Sequence, residues 1–165
     1  MSATVFVIPG APVPKGRPRF SVRGKRVLTH TPDKTRAAEA AIAAHVAADA
    51  GRFPAGPVCV EALFVCTRPK RLMRRADPED MVPAPVRPDL DNYVKTLLDG
   101  LAGLWGDDGQ VCEVRAAKVF AAKGDGPCTV VRVSSSAGSA WMGGFYGAAS
   151  GASTAELLAA MGGPS

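Results

Sequence analysis

Two places in the chain hold polar residues whose types and spacing could do chemistry together. One is Asp89-Leu90-Asp91-Asn92 with Lys95, and the other is Asp107-Asp108-Gly109. If Asp89 caps a helix and Asp91 lies in its first turn, both carboxylates converge beside the helix N-terminus, whereas two mid-helix residues two apart point about 200° apart. Lys95 follows Asp91 by four residues and shares that face of the helix, so it places a cation near whatever the carboxylates bind. Asp108, in a turn before a strand, can bring a third carboxylate from the chain returning past the helix. Hard oxygen donors of this kind suit magnesium, which binds through one or two carboxylates plus a phosphate and keeps several waters. The same residues also have an ordinary structural reading. Asp89 is a good N-cap, Asp91 favours the helix dipole, Asp91 and Lys95 form an i,i+4 pair, and Asp107-Asp108-Gly109 is a turn. Spacing alone leaves both readings open.

The elements that would position these residues follow from hydrophobic periodicity. Leu90, Val94, Leu97, Leu98 and Leu101 recur at helical spacing between Asp89 and Gly103, so this helix buries one stripe and keeps its acidic head outside. Residues 110–121 and 127–134 read as two strands joined by Lys123-Gly124-Asp125-Gly126. Upstream, residues 4–8 form a β-branched run stopped by Pro9-Gly10. Residues 11–30 carry Pro12, Pro14, Pro18 and six basic residues between Lys15 and Arg26, which predicts an extended or hairpin-like basic arm. Thr31-Pro32-Asp33 supplies an N-cap, a first-position proline and an early acid for an Ala-rich helix reaching about Ala50, with Ala38, Ile42 and Val46 on its buried stripe. Residues 57–66 form another strand, followed by a basic, flexible stretch too long and polar to be core. The order β-α-β-α-β-β predicts an α/β (α+β) fold, a small mixed sheet with helices packed on it.

Composition bounds what such a fold can be. At 165 residues the chain is one domain with a tail, and its 28 Ala and 18 Gly leave only a modest core. Residues 1–80 hold 14 Lys/Arg against 7 Asp/Glu, and residues 81–165 hold 6 against 8, giving +7 and −2. A basic half of this kind suits a polyanionic partner as well as a solvated surface. No apolar run reaches the roughly 20 residues of a membrane span, and the N-terminus does not read as a secretion signal, so a cytoplasmic protein is expected. Cys59, Cys66, Cys112 and Cys128 have no metal-binding spacing and read as small buried hydrophobes in a reducing compartment. From 137 to 165, 19 of 29 positions are Ala, Gly or Ser, which predicts a domain over 1–136 and a disordered tail over 137–165, with 154–161 as one weak helix. Trp141, Phe145 and Tyr146 in that tail could dock on a partner.

RPDLDNYVKTLLDGL, a short gap and WGDDGQV together resemble the RusA family of Holliday-junction resolvases, whose pattern is Asp-x-Asp-Asn, a Lys four residues on, a hydrophobic helix, and an Asp-Asp pair before a strand. PGAPVPKGRPRF is similar to the opening of phage and prophage members, and the resemblance covers about residues 3–134. It implies that Asp89, Asp91 and Asp108 bind Mg2+, that Lys95 is the essential basic residue, and that Asn92 supports them. It implies a homodimeric endonuclease, bacterial or phage-encoded and nucleoid-associated, that cuts two like-polarity strands of four-way junction DNA in recombination and repair.

On that reading Lys15, Arg17, Arg19, Arg23, Lys25, Arg26 and Arg87 contact DNA, and the Arg68–Arg75 stretch neutralises phosphates. Arg87 stands one place before Pro88, where some members have a basic residue directly before the first Asp. Phe20 either wedges between bases at the junction centre or anchors the arm in the core. His30 and His45 have no catalytic role, and Trp105 seals the end of the acidic helix against the sheet. A nuclease for flaps or other branched DNA, and a non-catalytic DNA-binding dimer of the same fold, are the alternatives of different class.

Overall fold

The structure, a computed structural model, describes residues 3–23 and 26–135, with backbone alone at 19, 21–23 and 26–29. Lys25, residue 136 and the whole 137–165 segment, with Trp141, Phe145, Tyr146 and the helix expected at 154–161, lie outside the described residues.

The strands are β1 (Ala3–Pro9), β2 (Arg19–Arg23), β3 (Arg26–His30), β4 (Val58–Cys66), β5 (Val82–Pro83), β6 (Val111–Phe120) and β7 (Cys128–Ser134). The helices are α1 (Asp33–Val46) and α2 (Leu90–Leu101). Five strands form one sheet in the order β1-β7-β4-β6-β5, in which β4 and β6 run parallel and the other pairs antiparallel. β4 is central, and its sequence VCVEALFVC is buried along nearly its whole length, as a strand covered on both faces must be. Its alternation sends Val58, Val60, Ala62 and Phe64 towards the helices, and Leu63 and Val65 towards a second cluster with Met81, Ala117, Val119 and Val130.

α2 lies on the helix side through Tyr93, Leu97 and Leu101, with Leu90, Val94 and Leu98 packed partly against the same core. α1 crosses it closely enough that a Cβ at Gly100 would stand 2.6 Å from Cβ of Ile42. Among the described residues no helix is long and apolar enough to cross a membrane.

The mixed α+β sheet agrees with the order read from sequence, with two additions. The basic arm is a regular antiparallel hairpin, paired from Arg19 with His30 to Arg23 with Arg26. The stretch after β4 is also more ordered than its polarity suggests, since β5 pairs with the end of β6, and Met81 and Ala84 are buried.

Four details depart from expectation. Pro32, not Thr31, is the N-cap of α1, with no side-chain capping bond, and the α-helix ends at Val46 before a single 3-10 turn over Ala47–Asp49. α2 ends at Leu101 with a 3-10 turn over Ala102–Leu104, so Gly103 does not close it. Cys59 and Cys128 are buried, but Cys66 is half-buried and Cys112 is exposed, because Cys112 lies on β6 where the strand borders solvent. Arg68 is buried, and its guanidinium donates to the carbonyls of Leu72, Pro78, Asp80 and Ala121, so it braces the β4–β5 connection and is not open to a phosphate.

Candidate active site

Asp89 is the N-cap of α2 in extended backbone conformation, and its carbonyl accepts from the Asn92 amide at 3.2 Å. Its carboxylate makes no capping hydrogen bond, so the helix end does not consume it. Asp91, one turn in, is exposed and accepts from Lys95 Nζ at 2.9 Å and from Asn92 Nδ2 at 3.3 Å. The hydrogen bond from Lys95 holds the Asp91 carboxyl below the usual carboxylate range, with the Lys95 charge and the Asn92 amide adding to it against slight desolvation. The head of α2 therefore presents two acids, an ammonium and a carboxamide in one exposed turn, at the positive end of the helix dipole.

Three contacts fix that head on the sheet. Tyr93 packs on Phe64 with ring centroids 5.4 Å apart. Lys118 on β6 reaches under the chain entering α2, donating to the Val86 carbonyl and, at 2.5 Å, to the Pro88 carbonyl, with Nζ 5.7 Å from the Tyr93 ring centroid. The arm docks from the other side, where the Lys15 amide donates to the Asn92 carbonyl at 2.7 Å. Burial of Tyr93 beside Cys66 pushes its phenol up to about 12, so it stays neutral and acts as packing.

Asp108 sits elsewhere. It opens a 3-10 turn, Asp108–Gln110, just before β6, and its Oδ1 accepts from the buried Trp105 indole at 3.2 Å. Trp105 does seal the C-terminal end of α2 against the core, as expected. Asp107 caps the turn by accepting from the Gly109 amide at 2.8 Å, and Gln110 answers with Oε1 bonded to the amides of Gly106 and Asp107. This turn lies past the C-terminal end of α2, whereas Asp89 and Asp91 lie at its N-terminal end. Twelve helical residues rise about 18 Å, so Asp108 cannot join the other two within one chain. Among the described residues no group of three His, Cys, Asp or Glu stands close enough to hold a metal ion. Asp89 and Asp91 alone meet magnesium's minimum of one or two carboxylates, but the full set of three does not form in a single subunit.

The expected DNA contacts divide in the same way. Arg17 is exposed, and Phe20 is 71% exposed, which excludes a buried anchor for it. Arg19, Arg23 and Arg26 lie on the backbone of the β2–β3 hairpin. Arg87 is exposed beside Asp89, joined to Pro88 by a cis peptide bond, and lines a cavity of about 850 Å³ with Val86, Asp89, Ala116 and Lys118. Lys15 differs, since its ammonium is paired with Glu39 at 2.5 Å and with Asp99. Burial works against its charge, but those hydrogen bonds outweigh it and raise its pKa. His30 and His45 are exposed.

Two positioning residues escaped the sequence reading. Gln110 was signalled by the Asp-x-x-Gln capping pattern at Asp107-Asp108-Gly109-Gln110. Lys118 carried no signal, being a single cation in an apolar strand.

Comparison with known proteins agrees with this arrangement of elements. A protein of Bacillus subtilis (strain 168), uncharacterized protein YqaN, is 29% identical over 129 residues, covering 73% of this chain and 89% of that protein. The family described as Endodeoxyribonuclease RusA, whose nucleases depend on divalent metals, matches residues 9–134, from the end of β1 through β7 and across both acidic segments. With most of the chain inside that match, the protein belongs to the RusA endodeoxyribonuclease family.

Proposed function

We propose that the protein is a magnesium-dependent, structure-specific endonuclease that resolves four-way DNA junctions by paired nicks, acting as a homodimer in the cytoplasm. The observation that carries this reading is the head of α2. There two carboxylates, Lys95 and Asn92 share one exposed turn, with the stem of a basic hairpin hydrogen-bonded to it.

Asp89 and Asp91 hold Mg2+, and when bound the ion polarises the scissile phosphate and lowers the pKa of a water. Lys95 opposes negative charge developing on the phosphate, and Asn92 keeps Asp91 oriented. Asp108 completes the site from the other subunit. A two-fold axis that lays two α2 helices past each other brings the C-terminal turn of one beside the N-terminal head of its partner, twice over. Arg17, Arg19, Arg23, Lys25, Arg26 and Arg87 meet backbone phosphates, and Phe20 stacks on exposed bases at the branch point. Lys15 fastens the arm to α1 and α2 through Glu39 and Asp99. The nuclease domain is residues 1–136, and the 137–165 segment stands outside it.

The test is cleavage with magnesium of a synthetic four-way junction, a flap and a linear duplex of equal length, by the full chain and by one ending at residue 136. Paired, symmetric nicks on the junction from both proteins are expected. Preferred flap cutting would make the protein a nuclease for other branched DNA, and tight junction binding without cutting would make it a non-catalytic binder. Loss of folding in the shorter chain would move the domain boundary into the tail.

A further inference from the structure

We propose that the outer edge of β6 is the surface on which a second copy of this chain docks, joining the two five-stranded sheets into one across a two-fold axis at Val114. This rests on the homodimer in the reading above and names the surface that makes it. β5 covers β6 only at Val119 and Phe120, and the Ala84 amide adds a bond to the Lys118 carbonyl. That bond shows that the polar groups of Lys118 face outwards. Strand alternation then turns the N–H and C=O of Ala116 and Val114 outwards as well. Among the described residues no strand pairs with this part of the edge. Val114, at its middle, is one of the few large apolar side chains left exposed, at 40%. An uncovered edge of this kind is a template for another strand unless something blunts it.

The sequence along the edge selects its own copy as the occupant. Antiparallel pairing about Val114 sets Val114 against Val114 of the partner subunit, and Glu113 against Arg115 of the partner subunit on both sides of the axis. Opposite charges facing each other across strands favour this register, whereas a shift of two residues would break both pairs. Glu113 and Arg115 already share an ion pair at 2.5 Å within the chain, so the four charges would form one alternating row.

Following the register outwards has a consequence for the site. Asp108 precedes Val114 by six residues, so Asp108 of the partner subunit is carried to the level of Lys118–Phe120. Those positions are already covered by β5 and Ala84, so the partner's turn must leave the sheet plane there. Beside it opens the 850 Å³ cavity lined by Arg87, Asp89 and Lys118. The edge that would be satisfied by pairing is thus the one that brings the third carboxylate to the head of α2.

The test reads size and cross-linking, not cleavage. The unaltered chain is expected to sediment at twice its 17.0 kDa. Val114→Cys, treated with oxidised glutathione, should become a covalent dimer, because hydrogen-bonded antiparallel partners stand about 5.5 Å apart at Cα, within disulfide range. The unaltered chain is the control, since its exposed Cys112 would face Ala116 of the partner and should not cross-link. Val114→Lys, which sets two ammonium groups on the axis, should sediment as a monomer with an unchanged circular-dichroism spectrum. A monomeric unaltered chain, a dimer that Val114→Cys does not lock, or a lock through Cys112 would each overturn the proposal. Val114 protected from cross-linking until the chain is cut after Ser135 would overturn it in favour of the tail. A locked dimer that cuts no DNA would sink the resolvase reading and leave the edge standing, and an active dimer without the lock would do the reverse.

Discussion

Asp91 titrates under the control of one neighbour. The hydrogen bond from Lys95 lowers its pKa, so the pairing is present above the ordinary carboxylate value and is lost as pH falls through the lowered one. The carboxylate is therefore fully charged at any pH where DNA cleavage is assayed. Replacing Lys95→Met should return the Asp91 carboxyl towards the ordinary range in an NMR titration, and should cut cleavage by about 10²-fold or more if the ammonium also opposes transition-state charge. A normalised titration with undiminished cleavage would leave Lys95 as a partner of Asp91 and nothing else. Asp91→Asn should likewise lose about 10²-fold or more in cleavage while junction binding persists, because shape is kept and one anionic donor is removed. Asp107→Asn is the matched control, expected to cut at nearly the wild-type rate, since asparagine caps the Asp108–Gln110 turn as aspartate does. These roles were readable in part. Residue types and spacing pointed to Asp89, Asp91, Lys95 and Asp108, but whether the Asp89 side chain caps its helix depends on a rotamer that no spacing reveals.

At the scale of elements, the sequence was clearest where burial imposes a period. The stripe of α2 and the continuous run of β4 packed as read, because each has one apolar arrangement open to it. It was least clear where polar chain is organised by hydrogen bonds. Arg68 looked like surface charge, yet its long apolar stem and forked donors let it lie buried among four carbonyls. β5 has two residues, too few for any period, and prolines before the hairpin masked the regularity of β2 and β3. The contact between helices yields a prediction of its own. Gly100→Ala would force a Cβ into Ile42, so it should destabilise the fold by about 1–3 kcal/mol in denaturant unfolding, with binding to DNA kept in the folded fraction. A neutral result would mean that α1 and α2 can move apart at no cost. The arm yields another. Arg17→Ala should lower the magnitude of the log K against log salt slope by about 0.9 on junction and duplex alike, as one phosphate contact is lost. Lys15→Ala should instead weaken binding with little change in slope, because its charge is already spent on Glu39 and Asp99. Equal slope changes would mean that those ion pairs open when DNA binds.

For the whole molecule, the decisive geometry is the distance between the two acidic segments. Sequence order brings Asp108 back past the helix and invites the inference that it closes on Asp89 and Asp91. The helix length sets it at the far end instead, and only the folded chain reveals this. Two symmetric cuts require two complete sites, so a site shared between subunits would make dimerisation a condition of chemistry as well as of symmetry. Mixing subunits separates the two cases. Asp91→Asn and Asp108→Asn are each expected to be inactive alone, since every dimer then has two damaged sites. When the two are mixed and exchanged, each mixed dimer has one site carrying both damaged residues and one site that is whole. Random exchange makes half of the dimers mixed, so about a quarter of the wild-type sites should return. The products should be single nicks in one strand pair, without the paired cuts that separate a junction into two duplexes. If Asp108 served the head of its own α2, every site in the mixture would stay damaged and no nicking would return. Recovery of single nicks without resolution is the outcome that only a shared site produces.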